Sequence, residues 1–348
     1  MSTQRALVVE SHGTAKVVSD FPIPQLRDDY LLIRVVAVAL NPTDWNHIDW
    51  FGEKGALVGT DYAGTVEEVG SAVTSGFKKG DRVSGVVHGT NSLHHEDGAF
   101  AQYITAKADI QMKIPDNISF EEAAAFNLGT LTVGQALYQS LGLLPPFSPS
   151  AVPIPILIYG GSTATGLLAI QFAKLSGYTV YTTASPQHNE LLKSLGATEV
   201  FDYSSPTCAQ DIFAATNGKL QYVFDCISTA SSAAICSPAM SHSGGKYTAT
   251  LPVTDFPNPR DNISNTMTLS YTGIGERFFF GPHEFAAKKD DFDFGVKHVQ
   301  LSAKLLQEKK LVPIPIEVRD GDLEGISLGL DNLRKGEVRG KKLVYRIK

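Results

Sequence analysis

The run Ile154-Pro155-Ile156-Leu157-Ile158-Tyr159 carries no charge and stops at Gly160-Gly161. After Gly166 it gives way to Leu167–Leu175, where apolar positions recur at helical spacing. An uncharged apolar run of this length predicts a strand buried on both faces, and the segment after it a packed helix. The alternation continues downstream. Tyr178–Thr182, Glu199–Tyr203, Leu220–Cys226 and Gly245–Leu251 read as further strands, with helical stretches at Asn189–Leu195, Ala209–Thr216 and Ser231–Met240 between them. Strand and helix alternating at this pitch predict a doubly wound parallel sheet.

The first 120 or so residues have another texture. Short alternating runs at Ala6–Val9, Leu31–Ala39, Gly64–Val69 and Arg82–Val87 are separated by turn-rich pieces such as Gly76–Asp81 and Ile114–Asn117. This pattern predicts a compact, mostly antiparallel β domain. Ser119–Ala125 reads as a helix capped by Ser119, with Glu121 and Glu122 in its first turn, and Gly129–Ser140 as a helical continuation. The prolines of Leu144–Pro153 exclude helix and central strand, which leaves a surface loop or stiff linker. Beyond residue 280 the pattern gives a helix over Asp293–Glu308, a strand over Ile314–Val318, a helix over Asp322–Arg334 and a last strand over Lys342–Ile347.

Composition narrows the class. With 348 residues, two domains are the default. A hydrophobic fraction of 43% and a mean hydropathy of −0.03 fit a soluble globular protein. The net charge of −6 gives no reason to expect nucleic acid as a partner, and no apolar run is long enough to span a bilayer. Three cysteines, Cys208, Cys226 and Cys236, make no disulfide framework, so the expected setting is the reducing cytoplasm.

The turn Gly160-Gly161-Ser162-Thr163-Ala164-Thr165-Gly166 joins a strand to a helix. Glycines let the backbone approach a dinucleotide pyrophosphate, and the helix N-terminus offers free N–H groups to it. An ordinary tight turn is the alternative, and the spelling departs from G-x-G-x-x-G. The next strand runs into Thr183-Ala184-Ser185-Pro186-Gln187-His188, with no Asp or Glu for an NAD ribose roughly 20 residues past the glycines. Hydroxyls and a histidine suit a 2′-phosphate, so the expected cofactor is NADPH.

Several segments together resemble the medium-chain dehydrogenase/reductase superfamily. They are Asn41-Pro42-Thr43-Asp44, Gly59-Thr60-Asp61-Tyr62-Ala63-Gly64, Val69-Gly70, Gly80-Asp81-Arg82-Val83, Gly98–Tyr103, the glycine turn and Lys342-Leu343-Val344. The resemblance implies a GroES-like antiparallel β domain over residues 1–125, a Rossmann domain over 126–280, and a segment 281–348 returning to the first. More narrowly, Tyr159–Thr165, Ser185–His188 and Glu199–Tyr203, with the proline-rich insert, resemble the fungal trans-acting enoyl reductases that serve polyketide synthases. Zinc-dependent relatives place a cysteine and a histidine where this chain has Asn41 and Thr60. No cysteine precedes Cys208, and His88, His94 and His95 read as part of a solvated polar loop. No metal is expected.

By resemblance, Thr43, Asp44, Trp45 and Asn46 lie near the nicotinamide, and Ser162, Thr163, Ala164 and Thr165 hold the pyrophosphate with Gly160 and Gly161. Ser185, Pro186, Gln187, His188 and Tyr203 would take the 2′-phosphate, Ala249, Thr250 and Leu251 the nicotinamide ribose, and Val344 and Tyr345 would close the site. Thr43-Asp44 also reads as an Asx-capped turn, Tyr203 as strand-end packing and Ser185-Pro186 as a plain helix start. Substrate contacts are assigned to Phe126-Asn127-Leu128-Gly129-Thr130-Leu131-Thr132-Val133 and to Gly273-Ile274-Gly275-Glu276-Arg277. Asn46 and Thr130 are the catalytic candidates, as donors to an enolate oxygen or to a proton-relaying water. Phe278-Phe279-Phe280 reads either as a channel wall or as core.

The implied reaction is hydride transfer from NADPH to the β-carbon of an α,β-unsaturated polyketide thioester on an acyl carrier of a partner synthase. The enzyme is expected to be a monomer, docking through basic residues near the C-terminus: Lys335, Arg339, Lys341, Lys342, Arg346 and Lys348. The alternatives are a quinone or free-enone reductase of the zeta-crystallin type, or a redox-inactive relative acting as an isomerase or nucleotide sensor.

Overall fold

A computed structural model describes residues 2–253 and 260–348. The chain divides into two compact units, Met1–Leu131 with Tyr271–Lys348, and Thr132–Ser270.

The second unit is built on six parallel strands. Their order across the sheet is Glu199–Phe201, Thr179–Thr183, Pro155–Tyr159, Tyr222–Asp225, Gly245–Ala249 and Ile263–Met267. In chain order this is third, second, first, fourth, fifth, sixth, the doubly wound Rossmann arrangement whose order reverses beside the first strand. Ile156, Leu157 and Ile158 are completely buried, as their unbroken apolar run requires of a strand covered on both faces. Each such side chain contributes roughly 1.5–3 kcal/mol through burial. The helix Ala164–Leu175 buries eight consecutive residues from Gly166 to Ala173. The proline-rich stretch is a surface loop of this unit, tied down by Leu144 N–H to Tyr178 Oη and Ser150 N–H to Ser176 O, with Phe147 76% exposed.

The first unit carries a mixed seven-stranded sheet. Its central strand, Tyr30–Ala39, pairs antiparallel with Asp61–Val69, with Tyr103–Lys107 and with Lys342–Arg346 from the far end of the chain. Ile316–Arg319 adds in parallel to Lys342–Arg346. The helix Asp322–Arg334 buries Leu323, Ile326 and Leu330 in the same core as Leu7, Leu31, Ile33 and Tyr62. As predicted, Ser119 caps the helix Phe120–Ala124, its hydroxyl accepting the Glu122 N–H at 3.2 Å. Helix Lys289–Gln307 starts four residues before its sequence-based limit.

Candidate active site

In the second unit, the glycine turn leaves the strand Pro155–Tyr159 with Gly160 at φ 81°, in the left-handed region. A Cβ on Gly161 would stand 2.1 Å from Thr182 Oγ1, and one on Gly166 2.3 Å from the Gly160 carbonyl. The turn closes only because these positions lack side chains. Thr163 caps the helix, its hydroxyl accepting the Gly166 N–H at 2.9 Å and donating to Gly160 O at 2.8 Å. The amides of Ala164 and Thr165, in the first helical turn, have no acceptor within the helix. Bare backbone and unshared N–H groups at a helix start make a cradle that fits a pyrophosphate. Beyond the next strand, Ser185 Oγ and Tyr203 Oη meet at 3.2 Å on the surface, with Tyr203 40% exposed. Pro186–His188 forms a single 3₁₀ turn leading into the helix Asn189–Ser194. No carboxylate lies between Thr179 and Asn189. Ala249 is buried at the end of its strand, while Thr250 and Leu251 lie just beyond it.

In the first unit, Thr43, Asp44, Trp45 and Asn46 form the start of a nine-residue helix, Pro42–Trp50, where the sequence offered a nicotinamide contact or a turn. Proline at its first position suits a helix start. The Asn41 N–H donates to Asp44 Oδ2 at 2.7 Å, and Thr60 Oγ1 donates to Asp44 Oδ1 at 2.8 Å. Burial pushes the Asp44 carboxyl up to about 7, against the opposing pull of those two hydrogen bonds. Asn41 Nδ2 reaches Asp61 Oδ2 at 3.0 Å and Thr60 Oγ1 at 3.2 Å. Thus the two positions at which zinc-dependent relatives carry ligands are engaged with each other and with buried carboxylates. Among the described residues, no three His, Cys, Asp or Glu side chains converge to hold a metal ion.

Thr43 Oγ1 lies 3.2 Å from His47 Nε2 and 2.8 Å from Tyr271 Oη. His47 Nδ1 is 3.3 Å from the Gly89 carbonyl. A proton assigned to Nδ1 serves that carbonyl, so Nε2 accepts from Thr43 and Thr43 accepts from Tyr271. Rings enclose this chain: Tyr271 stacks on His47 with centroids 5.3 Å apart, and Phe280 and His88 stand 4.9 and 5.9 Å from His47. The sequence placed His88 in a solvated loop. It is instead buried in this cluster, 5.1 Å from Phe278, whereas His94 and His95 are exposed. Phe278 stacks on Phe285 at 4.9 Å and Phe280 on Phe51 at 5.2 Å, so these phenylalanines pack with neighbouring rings.

Asn46 Oδ1 and Thr130 Oγ1 are buried atoms without a hydrogen-bond partner, as is Trp45 Nε1. A buried polar group left unpaired costs roughly 1–3 kcal/mol, which a bound partner would offset. Thr130 and its neighbours Phe126–Leu131 belong to the first unit, and Thr132 and Val133 to the second. Of Gly273–Arg277, Ile274, Glu276 and Arg277 border a cavity of about 20 Å³, room for one water molecule, lined also by Tyr30, Thr105 and Lys107. There Glu276 accepts from Tyr30 Oη at 2.5 Å and from Lys107 Nζ at 3.2 Å. Val344 and Tyr345 are buried strand residues, opposite Ala39 and Val38.

Of the six basic residues near the C-terminus, one is buried and five are exposed. Lys342 is buried and pairs with the buried Asp61 at 2.5 Å, Arg346 pairs with Glu121 at 2.6 Å, and Lys341 pairs with Glu317. Lys342 lies in the buried part of its strand, whereas Arg346 is at the strand's exposed end.

Burial pushes His47 down to about 4. An unfolded chain protonates the same ring near 6.5, so the folded state loses stability as pH falls from 6.5 toward 4. Across that window the thermal midpoint of the wild type should therefore fall relative to that of His47→Gln. A constant difference would show that His47 titrates alike in both states.

The doubly wound sheet with its glycine turn, together with a second unit built on a mostly antiparallel sheet, is the architecture of a medium-chain dehydrogenase/reductase. Residues 27–116 match the alcohol dehydrogenase GroES-like domain family, and residues 164–249 the zinc-binding dehydrogenase family. The fold is that of an alcohol dehydrogenase superfamily protein from Novosphingobium aromaticivorans, with TM-score 0.81, 21% identity and full coverage of both chains. Trans-enoyl reductase ACTTS2 of Alternaria alternata is 47% identical over 352 residues, covering 100% of both chains. Trans-enoyl reductase TOXD of Cochliobolus carbonum is 57% identical over 278 residues, 80% of this chain and 93% of that one. The chain belongs to the fungal trans-enoyl reductases of that superfamily.

Proposed function

We propose that this protein is an NADPH-dependent enoyl reductase that reduces the α,β-double bond of a polyketide thioester presented by the carrier domain of a separate synthase. One observation carries the reading: full-length relatedness to trans-enoyl reductases at 47% identity. The strand end at Thr183-Ala184-Ser185, without a carboxylate, supports NADPH over NADH. A cytoplasmic monomer is the form we assign. Among the described residues, no helix is long and apolar enough to cross a membrane.

NADPH, when bound, supplies the hydride that the substrate β-carbon accepts. Gly160, Gly161 and Ser162–Thr165 would hold its pyrophosphate, and Ser185, Pro186, Gln187, His188 and Tyr203 its 2′-phosphate. Ala249, Thr250 and Leu251 would contact the nicotinamide ribose, and Thr43–Asn46 would lie at the nicotinamide end. Thr43 spends its proton on His47 and one lone pair on Tyr271, which leaves a single lone pair and makes it an acceptor there. Thr43 is therefore not the proton source. Negative charge develops on the thioester oxygen, and the α-carbon needs a proton. The unpaired Thr130 hydroxyl is the donor we assign to that oxygen, and the unpaired Asn46 Oδ1, which can only accept, we assign to an ordered water.

The test follows NADPH absorbance with α,β-unsaturated thioesters, quinones and free enones. Thioester turnover, with NADH much poorer and EDTA without effect, is the expected result. Turnover confined to quinones or enones would replace this reading with the zeta-crystallin type. No oxidation despite NADPH binding would favour an isomerase or nucleotide sensor. Ser185→Asp should weaken NADPH binding at least about tenfold and raise the use of NADH, because its carboxylate repels a 2′-phosphate and accepts from a 2′-hydroxyl.

A further inference from the structure

Two segments leave the sheet of the second unit side by side. The strand Tyr222–Asp225 continues into Cys226–Thr229, and Gly245–Ala249 continues into Thr250 and Leu251. In an open α/β sheet, ligands bind outside these carboxyl ends. Ser228 joins the two segments. Its backbone lies at φ 61°, a left-handed conformation that a side chain disfavours. Ser228 N–H donates to Asp225 Oδ1 at 3.0 Å, and its hydroxyl donates to the Asp225 carbonyl at 3.1 Å. The same oxygen accepts the N–H groups of Thr250 at 2.8 Å and Leu251 at 3.2 Å, and lies 2.9 Å from Thr250 Oγ1.

Asp225 is the anchor beneath. It is fully buried, and its carboxylate also accepts from the Ile227 N–H at 2.8 Å, Tyr247 Oη at 2.7 Å and Ser232 Oγ at 2.5 Å. The network holds Ile227 over the glycine turn, where a Cβ added to Gly160 would meet Ile227 Cγ1 at 2.8 Å. Ile227 nevertheless stays 41% exposed, and Leu251, on the other segment, 39%. Two aliphatic side chains are thus held toward solvent at the ligand-binding edge by a strained, heavily bonded junction.

We propose that Ser228 is a positioning residue for the dinucleotide. It fixes both segments before binding, so that Ile227 and Leu251 present a preset apolar surface to the sugar and ring portions of the cofactor. Preorganisation of this kind raises affinity by removing the cost of ordering loops. The inference rests on the NADPH reading given above.

The experiment titrates full-length protein with NADPH and measures steady-state kinetics for wild type, Ser228→Gly and Ser228→Ala. Glycine tolerates the left-handed backbone but lacks the hydroxyl, whereas alanine keeps the strain and also lacks it. Both variants should raise the Kd and KM for NADPH about tenfold, with kcat changed less than twofold and the thioester KM unchanged. Ser228→Gly should melt no lower than Ser228→Ala. If Ser228→Gly binds NADPH like the wild type, the hydroxyl serves only to offset strain and the proposal is overturned. Should Ser228→Ala fail to fold, Ser228→Gly alone decides the question. Wild type that binds no NADPH would refute the underlying reading. Wild type that binds, with an unaffected glycine variant, would refute this inference alone.

Discussion

Gly166→Val should abolish measurable NADPH binding, raising the Kd at least about 100-fold, near 2.7 kcal/mol. The obstacle is backbone. A Cβ at this position falls 2.3 Å from the Gly160 carbonyl oxygen and 2.8 Å from the Gly161 Cα, so strand and helix must separate and the cradle opens. Gly161→Ala is a gentler case, because its Cβ meets the side chain of Thr182. Thr182 is fully buried and donates to Ile158 O at 2.6 Å, so it yields only by losing that bond. Adding Thr182→Ala to Gly161→Ala should therefore restore part of the affinity, whereas no single partner change should rescue Gly166→Val. Calorimetric titration with NADPH, alongside circular dichroism to verify folding, gives the measurement. A Gly166→Val protein binding within threefold of wild type would remove the pyrophosphate from this turn.

The second large effect concerns stability. Lys342 and Asp61 are both buried, and the Lys342 ammonium is also 3.4 Å from the Ala125 carbonyl. Lys342→Met strands the Asp61 carboxylate with, among the described residues, Asn41 Nδ2 and the Leu128 N–H as its donors. Removing one partner of a buried pair costs roughly 3–5 kcal/mol. At about 2–4 °C per kcal/mol for a unit of this size, the thermal midpoint should fall by roughly 10 °C. The double variant Asp61→Asn/Lys342→Met removes both charges while keeping an acceptor for Leu128, and should recover most of the loss. Scanning calorimetry of the two variants checks this. Equal losses would mean that the charge pair matters less than the packing of the lysine stem.

Legibility in sequence followed the range of the interactions. The glycine turn and its flanking strand and helix are set by local pattern, and they appear where the apolar run predicts them. The strand Thr14–Pro22 escaped because it is half exposed with mixed residues, and Ile263–Met267 because four of its five residues are exposed at a sheet edge. The helix Pro42–Trp50 shows no apolar stripe, and its short polar residues favour caps and turns when read alone. Tyr271 joins Thr43 across 228 positions, and Lys342 joins Asp61 across 281. Neither link leaves a trace in local spacing. Lys342 therefore looked like surface charge, and Tyr271 like nothing in particular. Asn46 and Thr130 came from resemblance, and only their unpaired buried atoms now set them apart.

The partnership of Asp61 with Lys342 also orders events during synthesis. The central strand Tyr30–Ala39 is made long before one of its neighbours, Lys342–Arg346, which follows the whole of Thr132–Ser270 in the chain. Until then the nascent sheet has an open edge and a carboxylate without its ammonium. Thr132–Ser270 has no such wait, because all its strands emerge as one contiguous block. Synthesis therefore delivers a nucleotide-binding unit able to fold first, and the unit that encloses it in sequence closes only once Lys342–Arg346 has emerged.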